Sequence, residues 1–139
     1  MKKTVALCSV LILFLLVYTN SALAATESNK YISMYYADIS NPSSGVIRVE
    51  FGVDGTSVMT MLGAQTIDLY ENGVLIRSFS RYNAIDAPFM VNTNDQYCYK
   101  HVSYPANSGS TYSAVVTVFA TNATGTGTET CTTGSITIP

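Results

Sequence analysis

Tyr112-Ser113-Ala114-Val115-Val116-Thr117-Val118-Phe119-Ala120 is short, rich in β-branched residues and apolar at successive positions. Such a run suits a strand in the interior of a sheet better than one at its edge. It is followed by Thr121-Asn122-Ala123-Thr124-Gly125-Thr126-Gly127, a turn-forming stretch, and then by the Thr-rich segment Thr128 to Ile138. That segment ends Ser135-Ile136-Thr137-Ile138, a period-2 pattern. Residues 111–138 therefore read as a long β-hairpin.

Working back from the hairpin, the other strand signals have the same character. Ile47, Val49, Phe51 and Val53 alternate with Arg48, Glu50 and Gly52, the mark of a half-buried antiparallel strand. Thr66 to Tyr70 and Val74 to Phe79 flank Asn72-Gly73, a strong hairpin signal. Tyr31 to Ile39 and Gln96 to Tyr104 supply two further strands. Asp54-Gly55 reads as a turn, and Ser57 to Gly63 as a helical turn whose Met59, Met61 and Leu62 plug one end of the core. Ser80 to Asp95 has a weak pattern, with Pro88 barring a regular central strand and Phe89 to Val91 able to pack. About seven short strands with turns between them predict an all-β fold, a sandwich or barrel.

The N-terminus has a different purpose. Met1-Lys2-Lys3 is basic, Val5 to Val17 is apolar except for Ser9, and Asn20-Ser21-Ala22-Leu23-Ala24 ends in small residues. This is the layout of a secretory signal peptide, predicted to be cut between Ala24 and Ala25. The expected domains are the signal, residues 1–24, and one β domain, residues 25–139. The apolar run is shorter than the roughly 20 residues of a membrane helix. The expected destination is extracellular, without membrane insertion once the signal is removed.

The expected mature chain has 115 residues, enough for one core, with five basic and nine acidic side chains and a formal charge of −4. Its cations, Lys30, Arg48, Arg77, Arg81 and Lys100, are scattered. Nucleic-acid and anionic-membrane binding both draw on clustered cations, so this balance argues against either. Two cysteines remain, Cys98 and Cys131, and an even pair in a secreted chain predicts a disulfide.

Gly109-Ser110-Thr111-Tyr112, followed by alternating Ala114, Val116 and Val118, resembles the start of the sixth strand of immunoglobulin-like and fibronectin type III domains. The resemblance implies an antiparallel sandwich of about seven strands, in which a corner tyrosine hydrogen-bonds the incoming loop. The position two residues after Tyr112 is Ala114 rather than Cys, and the chain has no Trp, so the antibody-type core is absent. Leu62-Gly63-Ala64-Gln65-Thr66-Ile67-Asp68-Leu69-Tyr70-Glu71, with the Tyr112–Ala120 run, is similar to uncharacterised small secreted proteins of Gram-positive bacteria. That resemblance implies a secreted bacterial sandwich and no particular activity. In the sandwich arrangement Cys98 and Cys131 fall on different sheets, so their bond would bridge the sheets near an end.

Catalytic groupings are sparse. His101 is the only histidine, no Gly-X-Ser-X-Gly stretch is present, and the carboxylates are dispersed. Asp86, Asn92, Asn94 and Asp95 offer the oxygen chemistry of a calcium site, but turn formation explains Asn92 to Asp95 more simply. No cofactor or metal is expected. Asn122-Ala123-Thr124 fits the glycosylation pattern, yet a bacterial signal leaves it a turn. Tyr97, Tyr99 and His101 share one face of a strand by alternation and form the candidate ligand-contact set. The plainer and preferred reading of that face is core or an ordinary Tyr-rich β surface. The expected function is a secreted, non-enzymatic β domain that binds an extracellular protein or glycan or coats the envelope. The alternatives are a small secreted hydrolase or toxin, and a self-associating structural subunit in the form of a homo-oligomer.

Overall fold

The computed structural model describes residues 29–139. The signal segment and the Ala24–Ala25 junction lie outside them. Seven strands make one antiparallel sheet: β1 (Ile32–Ser43), β2 (Val46–Glu71), β3 (Val74–Ser80), β4 (Val91–Pro105), β5 (Thr111–Asn122), β6 (Gly125–Thr132) and β7 (Ile136–Thr137). The sheet curls into a half-barrel. The all-β expectation holds, and the strands join a single sheet.

The 26-residue β2 organises everything. A strand has two edges, and β2 uses both along its length. Its first part, Val46 to Asp54, lies between β1 and β4. Its last part, Met61 to Glu71, has β5 on one edge; the start of β4 and then β3 take the other. The fully buried positions show how one strand serves two places. Ile47, Val49, Phe51, Val53 and Met59 are buried in one phase, Leu62 and Ala64 in the other, and Ile67 and Leu69 return to the first. The first change falls between Met59 and Leu62, and the second accompanies the register shift between Ala64 and Thr66; a further shift lies between Asp54 and Met59. Extra residues at such bulges bend a strand and turn its side chains. Gly63 sits at φ +149°, and a Cβ there would collide with the Met90 carbonyl oxygen, so the bend needs glycine.

This bending corrects two expectations. Asp54-Gly55 does not reverse the chain, and Ser57 to Gly63 forms no helical turn; both lie within β2. Thr56, Val58 and Thr60 alternate with Ser57, Met59 and Met61, and β-branched residues favour extended backbone. Met59 is nevertheless fully buried and fills the core there. Asn72-Gly73 does form the expected tight hairpin, with φ +50° and +80°. β4 begins at Val91, five residues before the expected Gln96. The β5–β6 turn is tighter than expected, with Asn122 Oδ1 accepting the Thr124 N–H at 2.8 Å.

The expected disulfide is not formed: Cys98 and Cys131 are both free thiols. In the sheet, β2 and β5 stand between β4 and β6. Three strand steps of about 4.8 Å far exceed the roughly 7 Å Cα reach of a disulfide. Cys98 is fully buried, with Sγ 3.9 Å from the Met90 carbonyl oxygen, and burial pushes its thiol pKa up to about 11. Cys131 lies beside Tyr35 of β1, its own pKa raised by burial.

At the corner leading into β5, the Asn107 N–H donates to the Tyr112 hydroxyl at 2.9 Å, as the sequence resemblance implies. The same hydroxyl donates to Glu71 Oε1 at 2.8 Å. Tyr112 is fully buried and ties loop, β2 and β5 together.

Candidate functional site

The site is built where β1, the first part of β2 and β4 run side by side. Cross-strand register places Tyr36, Gly52 and Tyr99 in one row. Alternation directs the neighbouring Phe51 and Val53 into the core and leaves this row on the convex side. Gly52 decides the geometry. A Cβ there would collide with Cε1 of Tyr36 and Cδ1 of Tyr99, so both rings lie over the glycine backbone. Large rings covering a strand glycine restore the contact area that the missing side chain forgoes.

The rings form a near-parallel series. Tyr36 and Tyr99 have centroids 6.3 Å apart with planes 26° apart; Tyr99 and Tyr97 have the same separation with planes 14° apart. Such separations suit offset aromatic contact. All three rings are solvent-facing, at 43%, 52% and 47% exposure for Tyr36, Tyr99 and Tyr97. Met34 extends the series on β1, and it too is exposed. The Tyr99 hydroxyl donates to Asp54 Oδ1. That bond to a carboxylate, with some desolvation, pushes the Tyr99 pKa up to about 12.

Beside the rings lies a shallow depression of about 200 Å³, bounded by Tyr36, Tyr99, Glu50 and His101. Glu50 is opposite His101 in register and 3.5 Å from Arg48. Ser103 follows His101 on the same face, but no hydrogen bond links Ser103, His101 and Glu50 among the described residues. The arrangement offers flat aromatic faces for stacking and, around them, carboxylate, imidazole and phenol groups for hydrogen bonding.

The structure brings Tyr97, Tyr99 and His101 together on one exposed face, so the reading of that face as core is corrected. Charged neighbours explain the outcome: Arg48, Glu50 and Asp54 of β2 share the face, and burying them would be costly. Tyr36, Gly52, Asp54 and Glu50 complete the site and were missed by sequence reasoning. Tyr35 and Tyr36 are adjacent, and only the β1–β2 register tells which of them faces outward. The Asn92–Asp95 segment is accounted for by local bonding, with Asp95 Oδ1 accepting the N–H groups of Gln96 and Tyr97. Asp86 is engaged elsewhere, by Arg77. Among the described residues no cluster of three metal-binding side chains occurs, and no helix is long and apolar enough to cross a membrane.

The chain matches no protein-family model, no curated protein and no solved structure.

Proposed function

We propose that this protein is a secreted, non-enzymatic binding module that holds extracellular carbohydrate on the tyrosine series of its convex face. The carrying observation is that Tyr36, Tyr99 and Tyr97 lie near-parallel and exposed over Gly52. A saccharide ring presents an apolar face of C–H groups rimmed by hydroxyls. It complements an aromatic plane flanked by Asp54, Glu50 and His101, as amphipathic tyrosine suits ligands that are apolar on one side and wet on the other. No hydrogen bond joins Ser103, His101 and Glu50 into a relay among the described residues, which supports binding rather than hydrolysis. The signal-like N-terminus supports secretion, and the Tyr112 corner bond supports kinship with immunoglobulin and fibronectin type III sandwiches.

Screening the mature protein on a glycan array, followed by titration of the best neutral oligosaccharide, tests the reading. The Tyr97→Ala, Tyr99→Ala variant should bind at least about tenfold more weakly, as expected for loss of central aromatic contacts, while melting close to the wild type. Unchanged affinity in the folded variant, or no glycan bound at all, defeats it.

A further inference from the structure

A second site lies on the other side of β4. The half-barrel does not close between β3 and β4, and a cleft of about 440 Å³ separates them. That volume falls in the range of small-molecule sites. Its apolar lining is Phe79, Ile85, Phe89, Val102 and Tyr104. Phe79 and Val102 are buried at the base, whereas Ile85 is 78% exposed and Phe89 58% exposed on the β3–β4 connection.

That connection is firmly held. Asp86 is only 5% exposed. Its carboxylate accepts from Arg77 Nη2 at 3.0 and 3.3 Å and from the Ser80 N–H at 3.1 Å. The Ile85 N–H is bound by Asn83 Oδ1, and Ala87 to Phe89 form a single 3₁₀ turn. A loop so tied at its polar residues still turns two large apolar side chains outward. Adjoining exposed apolar groups beside a cleft mark a binding surface.

The polar groups at the cleft select the ligand. Arg77, His101 and Ser103 offer donors, while the one carboxylate, Asp86, is already occupied. Among the described residues only Nη2 of Arg77 makes a hydrogen bond; the guanidinium lies over the Phe79 ring, its carbon 4.9 Å from the centroid, and Nε and Nη1 remain as donors for an anion. We propose that this cleft binds a free amphipathic carboxylate, its hydrocarbon body between Phe79, Ile85 and Phe89 and its carboxylate on Arg77. The site is separate from the tyrosine series, and only His101 borders both.

Dodecanoate, kept below its micelle concentration, is the probe, with dodecanol as its uncharged counterpart and calorimetric titration as the readout. Wild-type protein should bind dodecanoate about tenfold or more tightly than dodecanol, the difference of one charge-assisted hydrogen-bonded contact. Ile85→Ser, Phe89→Ser should abolish measurable binding without unfolding, since both side chains face solvent. Tyr97→Ala should leave dodecanoate affinity unchanged, which separates this site from the carbohydrate reading. Arg77→Lys, which retains a charge to pair with Asp86, should reduce the preference for dodecanoate over dodecanol. The proposal is overturned if dodecanoate does not bind, if it binds no better than dodecanol, if the double serine variant binds as well, or if the protein takes the chain only from phosphatidylglycerol vesicles.

Discussion

Tyr112 and Tyr99 are two tyrosines with the same polar arrangement and opposite surroundings. Each hydroxyl donates to a carboxylate, Glu71 for Tyr112 and Asp54 for Tyr99. Tyr112 is fully buried and also accepts from the Asn107 backbone; Tyr99 is 52% exposed and lies against other tyrosines. The difference teaches that the carboxylate bond alone does not reveal a tyrosine's role. At the corner it seals a joint whose removal would leave a hole. On the convex face it fixes the pose of a ring whose other side meets water.

The contrast can be broken most forcefully by truncation. Tyr112→Ala should cost about 3–5 kcal/mol, the usual penalty for emptying a large aromatic site, whereas Tyr99→Ala should cost under about 1 kcal/mol. Urea denaturation of both variants measures this, and equal losses would abolish the distinction. Removing only the hydroxyls is a finer cut. Tyr112→Phe leaves the Asn107 N–H without its partner and should cost about 1–3 kcal/mol; Tyr99→Phe, at a wet surface, should cost about 0.5 kcal/mol or less.

The smallest effects come from pH, and they have opposite signs at the two places. Hydrogen bonds from Ser110, Asn107 and Tyr112 hold the Glu71 pKa below its ordinary value of 4.5. The corner's contribution is therefore complete above that value and fades as the pH falls through the lower native one. Tyr99 has its pKa raised from 10.0 to about 12 by its bond to Asp54. Its contribution is complete below pH 10.0 and is lost as the pH rises through about 12. Melting temperatures across acid pH should show a weaker acid decline in Glu71→Gln than in wild type. Burial also raises the pKa of the Tyr35 and Tyr112 hydroxyls, so ultraviolet titration should show several late-ionising tyrosines, of which one, Tyr99, moves to lower pH in Asp54→Asn. A phenol titration unaltered by that substitution would mean that the Tyr99–Asp54 bond does not persist in solution.

The sequence made much of this legible because local signals agreed with the sheet. Alternation at Ile47 to Val53 and the Asn72-Gly73 turn both depend on neighbours within a few residues. The corner bond of Tyr112 is expected from a resemblance of its flanking residues to known strand starts, not from alternation. What failed depended on distant partners. Asp54-Gly55 looks like a turn until β1 and β4 are known to hold the chain extended on either side of Asp54. Cys98 and Cys131 look like a pair until two strands are found between them. In the candidate site, Tyr97, Tyr99 and His101 were visible as one strand face. Tyr36 and Gly52 join them only through register, which no periodicity within a single strand encodes.

The length of β2 has a kinetic consequence. Four strands, β1, β3, β4 and β5, use it as their template, and its pairs include the local Glu71–Val74 and the remote Val46–Pro105 and Met61–Thr121. Loop-closure entropy makes remote pairs slow to form. The β2–β3 hairpin is thus the natural early structure, and the chain must be nearly complete before Val46 can meet Pro105. Refolding followed by stopped-flow fluorescence should take milliseconds to seconds, in the range of other strand-rich domains with distant pairings. It should lose little speed when the β1–β2 contact is weakened by Ile39→Val, and more when the hairpin is weakened by Gly73→Ala. A single microsecond phase, or the reverse ranking of those two variants, would show that the long strand is not assembled outward from its C-terminal end.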